Sequence, residues 1–135
     1  MDGEVDRAAI GEIVFDDRDE LVFLEQLLHP RVAREYLAWR ERLAELPEPP
    51  VVAATEVPLL YEVGAEERFD AVVLITAPEK LRTARTDVPV AKRSPRLIPD
   101  EEKAKRADFV YRNIGSLEDL DRFVASVIEN LAEWG

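Results

Sequence analysis

The spacing of apolar positions changes several times along the chain, and each change marks an element. From Asp6 to Val14 the residues Ala8, Ala9, Ile10, Ile13 and Val14 recur at helical spacing. Asp16 and Asp17 interrupt them. A second helix is predicted from Asp19 to Leu28, with Leu21, Leu24 and Leu28 in register. Pro30 offers no N–H and disfavours the α conformation at His29, so Leu28-His29-Pro30 predicts a corner. A third helix, Arg31 to Leu46, then carries Val32, Tyr36, Trp39, Leu43 and Leu46 on one side. After Pro47, Glu48, Pro49 and Pro50 the helical period disappears. Val51-Val52-Ala53-Ala54-Thr55 is almost wholly apolar, as a strand covered on both faces must be, and a strand is predicted from Val51 to Val57. Pro58 ends it, because proline cannot donate to a ladder. Ala71 to Thr76 has the same character. The intervening segment, with Gly64, is too long for a hairpin and predicts a crossover between parallel strands.

Pro78 suits the first turn of a helix running through Leu81 to about Arg85. From Thr86 to Leu97 no period holds. Val88, Pro89, Val90, Ser94 and Pro95 alternate there with Lys92, Arg93 and Arg96, which predicts an exposed basic loop or lid. Pro99-Asp100-Glu101-Glu102-Lys103 opens a short helix with acids at its positive end and Lys105 and Arg106 at its negative end. Phe109 to Tyr111 reads as a short last strand. Ser116-Leu117-Glu118-Asp119 has capping-box spacing, and Leu117, Leu120, Val124, Val127 and Leu131 form the predicted buried stripe of a C-terminal helix. The reading is one α/β domain over 1–135, built around a parallel sheet. Its parts are helical over 1–47, central strands and crossover over 48–84, a lid-like loop over 85–98, and helix-strand-helix over 99–135.

Composition narrows the function. A chain of 135 residues buries a real core, and its formal charge of -11 disfavours nucleic acid and anionic membrane as partners. It has no cysteine and a single histidine, His29, which excludes disulfides and thiolate zinc sites. No apolar run approaches a membrane span, and the acidic start is unlike a targeting peptide, so a cytoplasmic protein is expected.

Glu56 falls at the C-terminal end of the first predicted strand, the edge where open α/β sheets bind ligands; a solvated glutamate is the plain alternative. Arg82, Arg85, Lys92, Arg93 and Arg96 can clamp phosphates, or else form a solvated basic face. His29 reads as a helix-corner residue rather than a base. Asn113-Ile114-Gly115 reads as a strand-to-helix turn, and Trp39 and Trp134 as packing residues. The sequence contains no G-x-x-x-x-G-K-[ST], no G-x-G-x-x-G and no nucleophile-base arrangement.

Several short motifs recur in a telling order. Asp2-Gly3, Asp6-Arg7, Ile13-Val14-Phe15, Leu28-His29-Pro30, Glu56-Val57-Pro58-Leu59-Leu60-Tyr61-Glu62, Ala77-Pro78-Glu79, Arg85, Glu102-Lys103, Ala107-Asp108, and Asn113 with Gly115-Ser116 together resemble the dephospho-CoA kinase family. The resemblance implies a P-loop-kinase-like parallel sheet with a helical CoA-binding region and a short lid. It implies ATP-dependent phosphorylation of the ribose 3′-hydroxyl of dephospho-CoA, giving coenzyme A. Asp6, Arg7, His29 and Glu56 would then lie toward dephospho-CoA, and Arg85, Arg93, Arg96 and Asn113 toward ATP. ATP and Mg²⁺ are implied for the complete enzyme, with no metal ligand assigned in this chain. The family's N-terminal strand, phosphate-cradling loop with its lysine, and aspartate-bearing strand lie upstream of the region matching Asp2, so no catalytic residue is assigned. The alternative is a non-catalytic chain that binds a CoA-like nucleotide or a partner protein. A sheet left uncovered by that missing portion is expected to favour self-association.

Overall fold

The computed structural model describes residues 3–85 and 97–134, which fall into two compact units, Met1–Pro50 and Val51–Gly135. The first is a pair of packed helices, α1 (Arg7–Asp16) and α2 (Arg18–Ala44). Both start on an aspartate whose carboxylate accepts from backbone N–H groups that would otherwise lack partners. Asp6 takes Ala9 N at 3.0 Å; Asp17 takes Asp19 N at 3.0 Å and Glu20 N at 3.3 Å. Tyr36 and Trp39 stack tilted on α2, 5.9 Å apart, with the Arg40 guanidinium over the Tyr36 ring. Trp39 is thus a packing residue.

The corner expected at His29-Pro30 does not form. Pro30 lies inside α2, and the two predicted helices on either side of it are one. Proline in a helix interior removes one hydrogen bond and costs about 3 kcal/mol, but the flanking leucines, glutamates, glutamine and arginines are strong helix formers that carry the helix past it. Pro30→Ala is therefore expected to raise the helical signal and stabilise this unit by up to about 3 kcal/mol, measured by circular dichroism melts. An unchanged or lowered melt would mean that α2 does break at Pro30.

The second unit is α/β. Its sheet has two parallel strands, β1 (Val73–Thr76) and β2 (Phe109–Arg112), paired in the register Val73↔Phe109 through Thr76↔Arg112. Asp108 lengthens the ladder at its start: its side chain accepts from Val72 N at 2.7 Å, and the Asp108 and Phe109 N–H groups both reach Val72 O. At the other end Asn113 N donates to Thr76 O at 2.6 Å. Parallel pairing demands a crossover, supplied here by α3 (Glu79–Arg85), the segment after it and α4 (Asp100–Arg106). α5 (Leu117–Trp134) lies against β2 through Tyr111 on Phe123, 4.7 Å between ring centres, and Phe109 on Trp134, 5.8 Å. The expected capping box is present: Ser116 Oγ accepts from Asp119 N at 3.1 Å while Asp119 accepts from Ser116 N at 3.2 Å.

Two further sequence expectations need correction. Val51 to Val57 is irregular, with no strand pairing among the described residues, so the sheet has two strands where three were expected. A strand exists only where a neighbour completes its ladder, and composition alone does not supply one. The stripe on α5 is also rotated. Leu117 is 83% exposed and Val124 41%, whereas the covered row runs through Leu120, Phe123, Val127 and Leu131, toward β2.

Candidate functional site

The chain from Pro58 to Gly64 coils into a turn that closes with Ala65 N on Leu60 O at 2.9 Å. Gly64 ends it at φ +67, a conformation that side chains resist. The turn buries Tyr61 and Ala65, which with Val127 are the most covered apolar residues among those described in this unit. Arg106 spreads its guanidinium 4.3 Å over the Tyr61 ring and pairs with Glu66 at 2.6 Å. Burial raises the Tyr61 hydroxyl above its ordinary value, with the Arg106 charge opposing.

The same turn delivers Glu62 to α4. Its carboxylate takes the Lys103 ammonium at 2.9 Å and the Ile98 N–H at 3.4 Å, and both side chains are largely covered, 9% and 14% exposed. Burial alone would push the Glu62 carboxyl up, yet Lys103 and Ile98 together hold it below the usual range. One turn earlier on α4, Asp100 pairs with Arg82 of α3 at 3.2 Å. Asp100 and Lys103 thus brace α4 against α3 on one side and against the turn on the other.

Beside this brace runs a groove of about 760 Å³, with Glu56, Thr55, Asp100 and Lys103 among its polar wall residues and the length of β1 along one side. Glu56 lines this groove, on an exposed irregular segment and not at the end of a strand where it was expected. Arg85 and Asn113 come together: Arg85 Nη1 donates to Asn113 O at 3.3 Å, next to the rung made by Asn113 N and Thr76 O. Both therefore stand at the carboxyl edge of the parallel strands. In the first unit, Asp6 is occupied as the α1 cap, Arg7 is exposed at the first position of α1, and His29 is exposed within α2. Arg93 and Arg96 lie outside the described residues. Sequence reasoning passed over Glu62, Lys103, Asp100 and Asp108 as individual residues. Glu62 and Lys103 stand within motifs quoted above, but only the fold reveals that they are each other's partner. Among the described residues no group of three His, Asp or Glu side chains could hold a metal ion, and no helix is long and apolar enough to cross a membrane.

Parallel strands joined by a crossover, with polar and charged groups gathered at their carboxyl ends, define an open α/β unit, the class of fold whose ligands bind at that edge. The profile of the dephospho-CoA kinase family matches residues 1–119. The chain is similar to the dephospho-CoA kinase of Thermus thermophilus, 38% identical over 96% of this chain and 64% of that protein, and to that of Brucella melitensis, 34% identical over 96% of this chain and 68% of that one. A solved dephospho-CoA kinase from Campylobacter jejuni superposes with a TM-score of 0.66 at 29% identity, covering 98% of this chain and 69% of that chain. This chain belongs to the dephospho-CoA kinase family. It spans about two-thirds of the length of these relatives.

The Glu62–Lys103 pair has a testable pH signature. Because the folded carboxyl sits below its ordinary 4.5, its contribution is complete above that value and is lost as pH falls through the lower folded one. Lys103→Met leaves the covered Glu62 charge uncompensated. It is expected to cost about 3 kcal/mol at neutral pH and to flatten the loss of stability on acidification from about pH 5 to pH 3, as read from urea melts across pH. An equally steep acid dependence in the variant would show that another carboxylate is responsible.

Proposed function

We propose that this chain serves phosphoryl transfer from ATP to the ribose 3′-hydroxyl of dephospho-CoA. The observation that carries this reading is the meeting of Arg85 with Asn113 at the carboxyl edge of a parallel sheet, within a chain of this family. The edge suits a nucleotide for physical reasons. Parallel strands end there, the α3 crossover leaves there, and a guanidinium held among the described residues by one nitrogen on the Asn113 carbonyl offers further N–H groups to phosphate oxygens. Arg85 and Asn113 accordingly face ATP. Glu56, on the wall of the groove, faces dephospho-CoA, as do Asp6, Arg7 and His29 of the first unit. Asp6 would act mainly by fixing the start of α1, since its carboxylate already holds Ala9 N. Phosphoryl transfer depends on positioning and on stabilising charge, so the role of these residues is to bind and orient the two nucleotides. The acidic surface and the absence of a long apolar helix among the described residues accord with a small-molecule enzyme of the cytoplasm. Mg²⁺ would arrive on the ATP phosphates, because the described residues build no cage for it.

Two substitutions separate the two nucleotide sides. Arg85→Ala is expected to weaken ATP binding about tenfold, about 1.4 kcal/mol, and to leave dephospho-CoA binding unchanged. Glu56→Gln, which keeps size but removes charge, is expected to alter dephospho-CoA binding and not that of ATP, with an unchanged melting temperature in both variants. Isothermal calorimetry with each nucleotide, followed by an assay for coenzyme A formation, reads the outcome. A chain that binds neither nucleotide, or variants that weaken both equally, would contradict the reading. Binding without turnover would leave the chain as a binder of CoA-like nucleotides.

A further inference from the structure

The crossover helices α3 and α4 have seven residues each, and neither fully buries one. Helices of two turns do not persist on propensity alone, so where each lies is set by what it touches. The start of α4 is fixed by one atom. Glu62 Oε2 takes the Ile98 N–H at 3.4 Å and the Lys103 ammonium at 2.9 Å, so its two contacts fall on either side of Asp100. Glu62 Oε1 is covered and takes no partner among the described residues. Between Ile98 and Asp100 stands Pro99, at φ -60 and ψ 145, whose ring stiffens the step. Asp100 is therefore bracketed. Its carboxylate in turn meets Arg82 of α3 at 3.2 Å, and Arg82 shares a helix face with Arg85, one turn further on. Arg85 is the residue that reaches the Asn113 carbonyl, at 3.3 Å.

We propose that Glu62 is a positioning residue for ATP: by bracketing Asp100 it sets, through Arg82 and α3, where Arg85 presents its guanidinium at the carboxyl edge of the strands. This role rests on Arg85 facing ATP, as proposed above. Guanidinium bonds to phosphate oxygens are directional, so a displacement of about 1 Å at Arg85 is felt in binding. Glu62 itself cannot reach a nucleotide from where it stands. Its side chain is only 9% exposed and its one engaged oxygen is already shared by Ile98 and Lys103, so it acts on ATP through α4 alone. The Arg106–Glu66 pair ties the opposite end of the same helix, away from Asp100, and supplies the control.

Two readouts on the full chain test the role: the NMR resonance of the Arg85 Nε–H group without nucleotide, and ATP affinity by calorimetry. Glu62→Gln is expected to move the Arg85 resonance and to weaken ATP about fivefold, the size of effect that residues outside a site have on it. Asp100→Asn breaks the same link further along, at a pair exposed enough to cost little stability, and is expected to do both even where Glu62→Gln folds poorly. Glu66→Gln is expected to do neither. In the Arg85→Ala background Glu62→Gln is expected to change ATP affinity no further, because residues that act through one another are not additive. A loss that persists without Arg85, an Arg85 resonance unmoved in both link variants, or an equal shift in Glu66→Gln would overturn the role. A parent chain that binds no ATP contradicts the nucleotide reading instead, and the Arg85 resonance then still decides whether Glu62 places that guanidinium.

Discussion

The second unit depends on four rungs of parallel pairing between Val73–Thr76 and Phe109–Arg112. Parallel strands cannot be joined by a tight turn, so the chain must leave β1, cross over and return beside it. That requirement puts α3 after β1 and α4 before β2. It also fixes which ends of the strands point the same way, and so collects Thr76, Arg85 and Asn113 at one edge. Asp108 locks the other end by using both its backbone and its side chain on Val72. A shift of one residue in this register would separate Arg85 from the Asn113 carbonyl and turn Phe109 and Tyr111 away from α5.

Around the ladder, charge does work that a small apolar core cannot. Among the described residues only Tyr61, Ala65 and Val127 are buried apolar residues. Three ion pairs tie the crossover helices to their surroundings: Arg82 with Asp100, Lys103 with Glu62, Arg106 with Glu66. Arg82–Asp100, about a third exposed on each side, contributes little by itself. Glu62–Lys103 is different, because its covered carboxylate also takes Ile98 N and so positions the chain entering α4. Ion pairs of this kind fix geometry more than they add stability, which suits elements that border a ligand site.

Much of this architecture was legible in the sequence, and the parts that were not share a cause. Helices announce themselves locally: the Asp6 and Ser116 caps, the acids and bases at the two ends of α4 and the Pro78 start of α3 are all visible within a few residues. β1 and β2 were visible as short apolar runs. The failures arise where the outcome rests on distant partners. Val51–Val57 has a strand's composition, but whether it pairs is decided elsewhere in space. Pro30 signals a break by its own chemistry, and the helix-forming residues around it prevail. On α5 the periodicity was right and the face was off, because Leu117 fits the spacing yet stays exposed at the first position of the helix, off the row that meets β2. Of the candidate site, Arg85, Asn113 and Glu56 were singled out from position and motif. Glu62 and Lys103 were not, since nothing in either neighbourhood names the other.

The claim that unites fold and function is that the carboxyl edge of the β1–β2 ladder receives the nucleotide. A two-dimensional NMR titration of the isotope-labelled chain with ATP tests it most directly. Saturable shifts are predicted at Thr76–Pro78, at the Arg85 side chain and at Arg112–Ile114, with Val73 and Phe109 at the opposite ends of the same strands unmoved. Shifts concentrated at Val73 and Phe109, or none along either strand at saturating ATP, would contradict the account.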